Sequence, residues 1–244
     1  MSSPTLLDSN HKPQGAPESK ASKNASEMAL VHNVVLRGLN CIYLQAPNVT
    51  DPKDIADFML FCDAWSCVLH SHHLTEETVY FPLLEGQCQE KGVMSRNHAE
   101  HEAFLPGLLR FDAFVSRVKD SGEPYDAAEL IKIIDTFGGA LERHLHHEIE
   151  GLVGLEKDQS IDWDLVGKSM AQHSKKVADR VREVPFIITN SDMTYESGIH
   201  GVRFPPFPWF VHQIFRWVYV PQLQGAWRFS SCDDYGLPKE LPFA

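Results

Sequence analysis

Apolar residues recur three and four positions apart along several long stretches of the chain, which is the period of an amphipathic helix. The first stretch follows Ser26, a suitable N-cap, and ends before Pro47. The second follows Asp51, which also suits an N-cap, and Pro52 would take its first helical position. Both boundaries predict helices that begin at a capping side chain.

Two further helical stretches follow, at about 94–119 and 125–155, and the connections between all four are short. Short connections favour antiparallel neighbours in space. We therefore predict an all-α protein whose main domain, residues 26–157, is an up-down four-helix bundle.

The chain changes character outside this domain. Residues 1–25 are polar and rich in Ser, Pro and Lys, which predicts a disordered arm. Within 158–244, residues 162–184 predict a fifth helix packed outside the bundle. From Pro185 onward Pro, Gly and aromatic residues dominate, and we expect an irregular tail packed on the bundle with a short helix at 208–219.

Charge and composition exclude several partners. The formal net charge of -11 argues against nucleic acid and anionic membranes. No apolar run is long enough to span a bilayer, and the N-terminal residues lack the apolar block of a secretion signal. The five cysteines form no CxxC pair. We expect a cytosolic protein in a reducing compartment.

Ionisable residues fall on the apolar stripes of two helices. The stripe of the second helix contains Trp65, Leu69, His72, Glu76, Val79 and Leu83. The stripe of the fourth contains Phe137, Leu141, His144, Glu148, Leu152 and Leu155. Both helices therefore point an H-x-x-x-E pair into the core.

The other two helices add inward histidines. His32 shares a face with Leu36 and Leu39, while His98 and His101 are in line with Leu105 and Leu108. Five further ionisable residues lie off the stripes and are expected to flank the site: His73, Glu77, His146, His147 and Glu150.

A buried carboxylate is costly unless it is paired or bound to metal. Four histidines around two carboxylates would be over-positive and badly desolvated as a salt-bridge network, and a pair of metal ions bridged by the carboxylates resolves that problem. Imidazole and carboxylate suit iron, manganese or zinc, and the absence of any cysteine from this set of inward residues argues against structural zinc. The competing hypothesis is an interaction protein with a metal-free, histidine-rich core.

The residues also resemble a known family. "HHLTEETVYFP" is similar to the HxxxEExxxFP signature of hemerythrin-like (HHE cation-binding) domains, and its Phe-Pro pair selects His72 and Glu76 rather than the next residues. "HLHHEIEGL" resembles the last-helix motif, "EHEAF" the third-helix element and "LVHNVVLRGL" the first-helix histidine. The resemblance covers about residues 27–155, and the tail is similar to extensions of fungal members.

The resemblance implies a non-haem di-iron centre bridged by the two inward glutamates. The implied ligands are His32, His72, Glu76, His101, His144 and Glu148, and His98 and Glu77 are candidates for additional ligands. Manganese and zinc are secondary alternatives to iron.

Two functional hypotheses follow. The first is an oxidoreductase that uses dioxygen or peroxide on a small organic substrate, for example in fungal secondary metabolism. Arg203, Trp209 and Trp227 of the tail are then candidates to close a substrate pocket, although aromatic residues of such a tail more often only cover the bundle. The second is a non-catalytic protein that binds, stores or senses iron or oxygen. The sequence does not identify a redox partner.

Overall fold

The structure is a computed structural model that describes residues 19–195 and 204–244. Its main domain is a four-helix bundle, as predicted. Its helices are α1 (Lys20–Gln45), α2 (Pro52–Thr75), α4 (Ser95–Ser121) and α5 (Ala127–Gly154). A π-helical turn at Glu76–Tyr80, called the wide turn below, continues α2 into α3 (Phe81–Gln87). In order around the bundle, α1, α2, α4 and α5 each contact the next, and α5 contacts α1. This is the up-down arrangement.

The helix starts agree with the predicted caps in one case only. Asp51 caps α2 by accepting a hydrogen bond from the Lys53 N–H at 2.9 Å. The predicted cap Ser26 is wrong, because α1 begins at Lys20 with Ser19 as its cap. The Ser26 hydroxyl donates to the Ser22 carbonyl one turn earlier, so this serine is satisfied in the interior of the helix. Residues 1–18 of the predicted arm lie outside the described residues.

Two apolar clusters fill the bundle. The larger includes Trp65, which packs edge-on against Phe111 with ring centroids 4.9 Å apart and donates its Nε1–H to the Val35 carbonyl. The smaller includes Tyr80 and Leu152. Each of the four bundle helices places a buried histidine between the two clusters, and α2 and α5 each add a buried glutamate, so a polar layer crosses an otherwise apolar core.

The wide turn after α2 shifts the buried face by one residue. The Phe81 N–H bonds to the Glu76 carbonyl five residues back, which places one extra residue in the turn. Tyr80 and Leu84 are therefore buried, whereas the predicted stripe residues Val79 and Leu83 are only partly buried. The stripe was predicted correctly as far as Glu76 and was wrong beyond it.

Further helices follow the bundle. The predicted fifth helix is α6 (Trp163–Val177), which packs outside the bundle against α1, α2 and the wide turn. A further helix, α7 (Glu183–Asn190), forms where an irregular tail was predicted to begin. Pro185 lies in its first turn, where the missing N–H has no partner to lose. Phe186 of α7 is fully buried in the larger core cluster.

The described part of the tail from residue 204 onward consists of short helical turns joined by irregular segments, and it partly covers the bundle. The predicted short helix is α8 (Trp209–Ile214), extended by a wide turn at Phe215–Tyr219. Farther on, Arg228 Nη2 bonds to Asp54 and Asp57 at 2.8 Å each, which fastens the tail to the start of α2.

Each described helix is too short or too polar to cross a lipid bilayer. The five cysteines are all free thiols, and four of them are buried.

Candidate metal centre

Seven side chains that can bind metal meet in the polar layer of the bundle. They form two groups of four, and within each group one ligand atom per residue lies within 4.8 Å of the others. The first group is His32, His72, Glu76 and Glu148. The second group is His73, Glu76, His101 and His144. Glu76 belongs to both groups, which is the position of a bridging ligand between two ions.

The structure brings all six residues of the predicted ligand set together and adds His73, which was expected only to flank the site. Successive residues on a helix diverge by about 100°, so His72 and His73 reach to opposite sides of Glu76. Each side of a shared carboxylate needs its own imidazole, and the adjacent histidines before Glu76 were the signal for this arrangement. The ligand role of the seven residues stays a prediction.

In the first group, imidazole nitrogens face each other and a carboxylate. His32 Nε2 lies 3.1 Å from His72 Nε2 and 3.2 Å from Glu148 Oε2. His72 Nε2 lies 2.9 Å from Glu76 Oε1. The other ring nitrogen of His32, Nδ1, donates to the Leu145 carbonyl at 3.0 Å. Its proton therefore points outward and its Nε2 lone pair points into the group.

The second group repeats this pattern. His101 Nε2 lies 3.0 Å from His144 Nε2, and the His101 Nδ1–H donates to Glu77 Oε1 at 2.6 Å. His144 Nδ1 faces Glu100 Oε2 at 3.4 Å. The His73 ring stacks at a tilt on that of His101, with centroids 4.4 Å apart.

Two carboxylates form an outer layer around the second group. Glu77 holds both His101 and His98, whose Nδ1 lies 2.7 Å from Glu77 Oε2. Glu100 lies beside His144 and 2.6 Å from His147 Nδ1. Neither His98 nor Glu77 belongs to either donor group, so the two candidates for additional ligands lie beside the donors.

Burial keeps the inner histidines neutral. It lowers the pKa of His32 and His73 well below the usual value for histidine and lowers that of His144 to about 3. It also raises the pKa of Glu76 well above that of an ordinary glutamate, and the neighbouring Glu148 raises it further. Neutral imidazole is the form that binds metal.

A metal pair fits these donors. All four carboxylate oxygens of Glu76 and Glu148 are buried, and none accepts a hydrogen bond of good geometry from a described residue, although imidazole nitrogens face two of them at 2.9 and 3.2 Å. Two nitrogens that bind one ion at about 2.1 Å each are expected roughly 3 Å apart, as both facing histidine pairs are. Without a cation, these lone pairs and carboxylates would face each other in a dry interior. Nitrogen and oxygen donors without sulfur suit iron, manganese or zinc.

Comparison with known proteins identifies the family of the chain. The family model described as "Hemerythrin HHE cation binding domain" matches residues 24–155. The chain belongs to the hemerythrin HHE family. It is also 32% identical over 219 residues to "Dimeric xanthone biosynthesis cluster protein R11" of Cryptosporiopsis sp. (strain 8999), covering 90% of this chain and 82% of the relative. No solved structure matches the chain. The four bundle helices of this hemerythrin-like domain thus carry a His/Glu cluster of a kind that binds metal cations.

Three residues of the tail of this hemerythrin-like chain were candidates to close a substrate pocket, and one of them lies far from the donors. Trp227 is buried and donates to the Val220 carbonyl, near the start of α2. That end of α2 lies about 25 Å from His72, at 1.5 Å of rise per residue. Trp209 is 77% exposed, and Arg203 lies outside the described residues. Trp227 therefore does not line a pocket over the donors.

A cavity of about 390 Å³ lies beside α2, but none of the seven donors lines it. Its walls include Cys67, His70 and Asp112. His70 is two residues before His72 and projects to a different side of α2, because two helical residues span about 200°. The cavity therefore gives no direct access to the donor layer.

Proposed function

We propose that this protein is a non-haem di-iron oxidoreductase that uses dioxygen or a peroxide to oxidise a small organic molecule. The observation that carries the proposal is the sharing of Glu76 by both donor groups, with an imidazole on each side. One carboxylate between two sets of nitrogen donors suits a pair of ions a few ångströms apart. Iron is the metal for which this donor set and oxygen chemistry coincide.

The seven buried side chains would hold the iron. His32 and His72 would bind one ion, His73, His101 and His144 the other, with Glu76 between them. Glu148 lies 3.2 Å from His32 Nε2 and 3.9 Å from His144 Nε2, close enough to both groups to act as a second bridge. When bound, the iron pair would provide the binding position for dioxygen or peroxide and would pass to it the electrons taken from the organic substrate or from a reductant.

The surrounding residues prepare this site. Glu77 accepts the His101 Nδ1 proton and the Leu145 carbonyl accepts that of His32, which fixes both ring orientations and leaves the Nε2 atoms free for metal. The apolar clusters above and below exclude water from the donors. A dry site strengthens the attraction between carboxylates and ions.

We further propose fungal secondary metabolism in the cytosol as the setting. The support is the name of the relative from Cryptosporiopsis, which places that protein in a biosynthesis cluster for a dimeric xanthone. The substrate proposed here is a small organic molecule of such a cluster. The reducing partner is not identified by this similarity.

Oxygen consumption tests the proposal. Iron-loaded protein is supplied with a panel of phenolic and polycyclic aromatic compounds, while oxygen uptake and product mass are recorded. We expect uptake and an oxidised product with at least one class of compound, and loss of both in Glu76→Gln. Fully iron-loaded protein that neither consumes oxygen nor forms a product across the panel would contradict an enzymatic role.

Burial of the donors favours a second candidate, a protein that binds, stores or senses oxygen or iron without turnover. His32, Glu76, His144 and Glu148 are all inaccessible to solvent, and an enclosed site suits reversible binding of a small gas. This candidate predicts an absorption band that appears with oxygen and disappears when oxygen is removed, with no product. A band that decays irreversibly as a product forms would exclude it.

A further inference from the structure

An aromatic stripe covers the outer face of the helical segment formed by α8 and the wide turn after it. It consists of Trp209, Phe210, Ile214, Trp217 and Val218, and both tryptophans are 77% exposed. The opposite face of the segment is used for folding. There Phe215 is buried with Val184 and Ile188 of α7.

The stripe lies in the least charged part of the chain. Residues 204–227 contain no Asp, Glu or Lys and a single Arg, Arg216, in a protein in which 23% of residues are charged. Arg216 is buried, donates to the Asp234 carbonyl at 2.7 Å and lies under the Tyr235 ring. Depletion of charge together with exposed tryptophan is typical of the centre of a protein interface.

The order of residues along the stripe is nearly symmetric. Its exposed positions are 209, 210, 214, 217 and 218, and Gln213 on the same face is partly exposed. If a second stripe runs antiparallel to the first, Trp209 meets Val218 and Phe210 meets Trp217, each twice. Gln213 then meets Ile214 near the axis. A twofold interface requires the same patch on both copies, with residue i contacting j and j contacting i. We propose that two copies of this chain form a dimer through the aromatic stripe.

The area of the stripe agrees with a reversible dimer. At the observed exposures, and taking roughly 150–250 Å² for a whole aromatic side chain, the stripe offers about 600 Å² per copy. Two copies would bury about 1,200 Å² in total, which is the lower limit for specific and stable interfaces. The dimer is therefore expected to dissociate on dilution.

A lipid surface is the main competing occupant, and charge argues against it. Helices that lie on membranes usually carry Lys or Arg beside their apolar face, whereas the only Arg of this segment is buried. The net charge of -11 also repels anionic lipids. The stripe therefore matches an uncharged protein surface better, and a second stripe is one.

Sedimentation velocity of the full chain over a roughly hundredfold concentration range tests the dimer. We expect the wild-type mass to rise from monomer to dimer. Trp209→Ser/Trp217→Ser should weaken the dimer at least tenfold. The matched control is Leu105→Ser/Leu109→Ser, which removes two exposed leucines from α4 and should leave the dimer intact. Circular dichroism must show equal helicity in all three proteins.

Three results would overturn the proposal. The wild type could stay monomeric over the whole range, or the double tryptophan variant could dimerise as well as the wild type. The third is a monomeric wild type that sediments with zwitterionic phosphatidylcholine vesicles through the two tryptophans, which would assign the stripe to membranes. None of these results bears on the metal site, because the stripe contains none of the donors.

Discussion

Glu76 and Glu77 are neighbours in the sequence but do different things at the site. Glu76 is fully buried and shared by both donor groups, whereas Glu77 is partly exposed and holds the outer nitrogen of His101. Both residues satisfy an H-x-x-x-E spacing, with His72 and His73 respectively. The apolar stripe of α2 separates them, because only Glu76 continues the face of Trp65 and Leu69.

Exchange of each carboxylate for its amide tests this difference. Glu76→Gln removes the shared charge and should reduce the metal content of the protein from about two ions to less than one per chain. Glu77→Gln leaves the donor set complete and should weaken metal binding about 10- to 100-fold, the usual effect of a residue that orients a ligand. Elemental analysis and chelator competition measure both. Equal loss of metal in the two variants would show that the register is wrong.

The helices themselves could be predicted from the apolar period, but departures from a regular α-helix could not. The stripe of α5 is correct from Phe137 to Leu152, because the helix is regular throughout. On α2 the stripe fails after Glu76, where one extra residue enters the turn. Pro185 indicated an irregular tail, although proline is equally suited to the first turn of a helix. In each case the deciding fact is a backbone geometry that side-chain spacing does not encode.

The third bundle helix illustrates the same limit for the site. His98 and His101 were both assigned to the inward face, together with Leu105. In the structure the buried face of α4 runs through His101, Phe104 and Leu108, while His98 and Leu105 are partly or largely exposed. Because His98 and His101 are three residues apart, the sequence could not decide which of them faces inward. In the structure the packing of α4 against α5 buries His101.

The closest helix pairing depends on one glycine, which gives a prediction at the scale of the element. A methyl group on Gly107 of α4 would overlap the Cβ atom of Phe137 on α5. Gly107→Ala should therefore destabilise the protein by about 1–3 kcal/mol, despite the better helix propensity of alanine. Gly151→Ala is the control, since nothing lies within 4 Å of its new methyl group, and it should stabilise by roughly 0.5–1 kcal/mol. Urea unfolding measures both; equal effects would contradict the packing.

At the scale of the whole molecule, the donor layer divides the core into two apolar clusters. Without metal, that layer places two buried carboxylates and five imidazoles in the middle of the bundle. Such groups stabilise a fold only when they are paired, and metal binding to the folded state alone adds to its stability by mass action. Metal binding and bundle stability are therefore expected to be coupled.

The acid sensitivity of chelator-treated protein tests this coupling. Burial lowers the pKa of His144 to about 3 and also lowers that of His32, whereas unfolded histidine titrates near about 6.5. Below that pH the unfolded chain binds protons that the folded chain does not, so stability is present at neutral pH and is lost as the pH falls. The raised pKa of Glu76 has the opposite effect on the pH dependence of stability. The lowered pKa values of several histidines outweigh the effect of this one glutamate.

We expect the melting temperature of chelator-treated protein to fall steadily from pH 7 to pH 5, and to fall less in His144→Phe, which has one such group fewer. Differential scanning calorimetry at several pH values provides the comparison. A melting temperature that is independent of pH in this interval would contradict neutral, buried histidines.

The metal stoichiometry of the folded protein tests the central claim most directly. Protein treated with chelator and then titrated with ferrous iron without oxygen is desalted and its metal measured by elemental analysis. Two groups of donors with Glu76 in common should retain about two ions per chain. The melting temperature should rise with added iron and stop rising at about two ions per chain. A fully helical protein that retains no metal, or that saturates at one ion, would contradict the account.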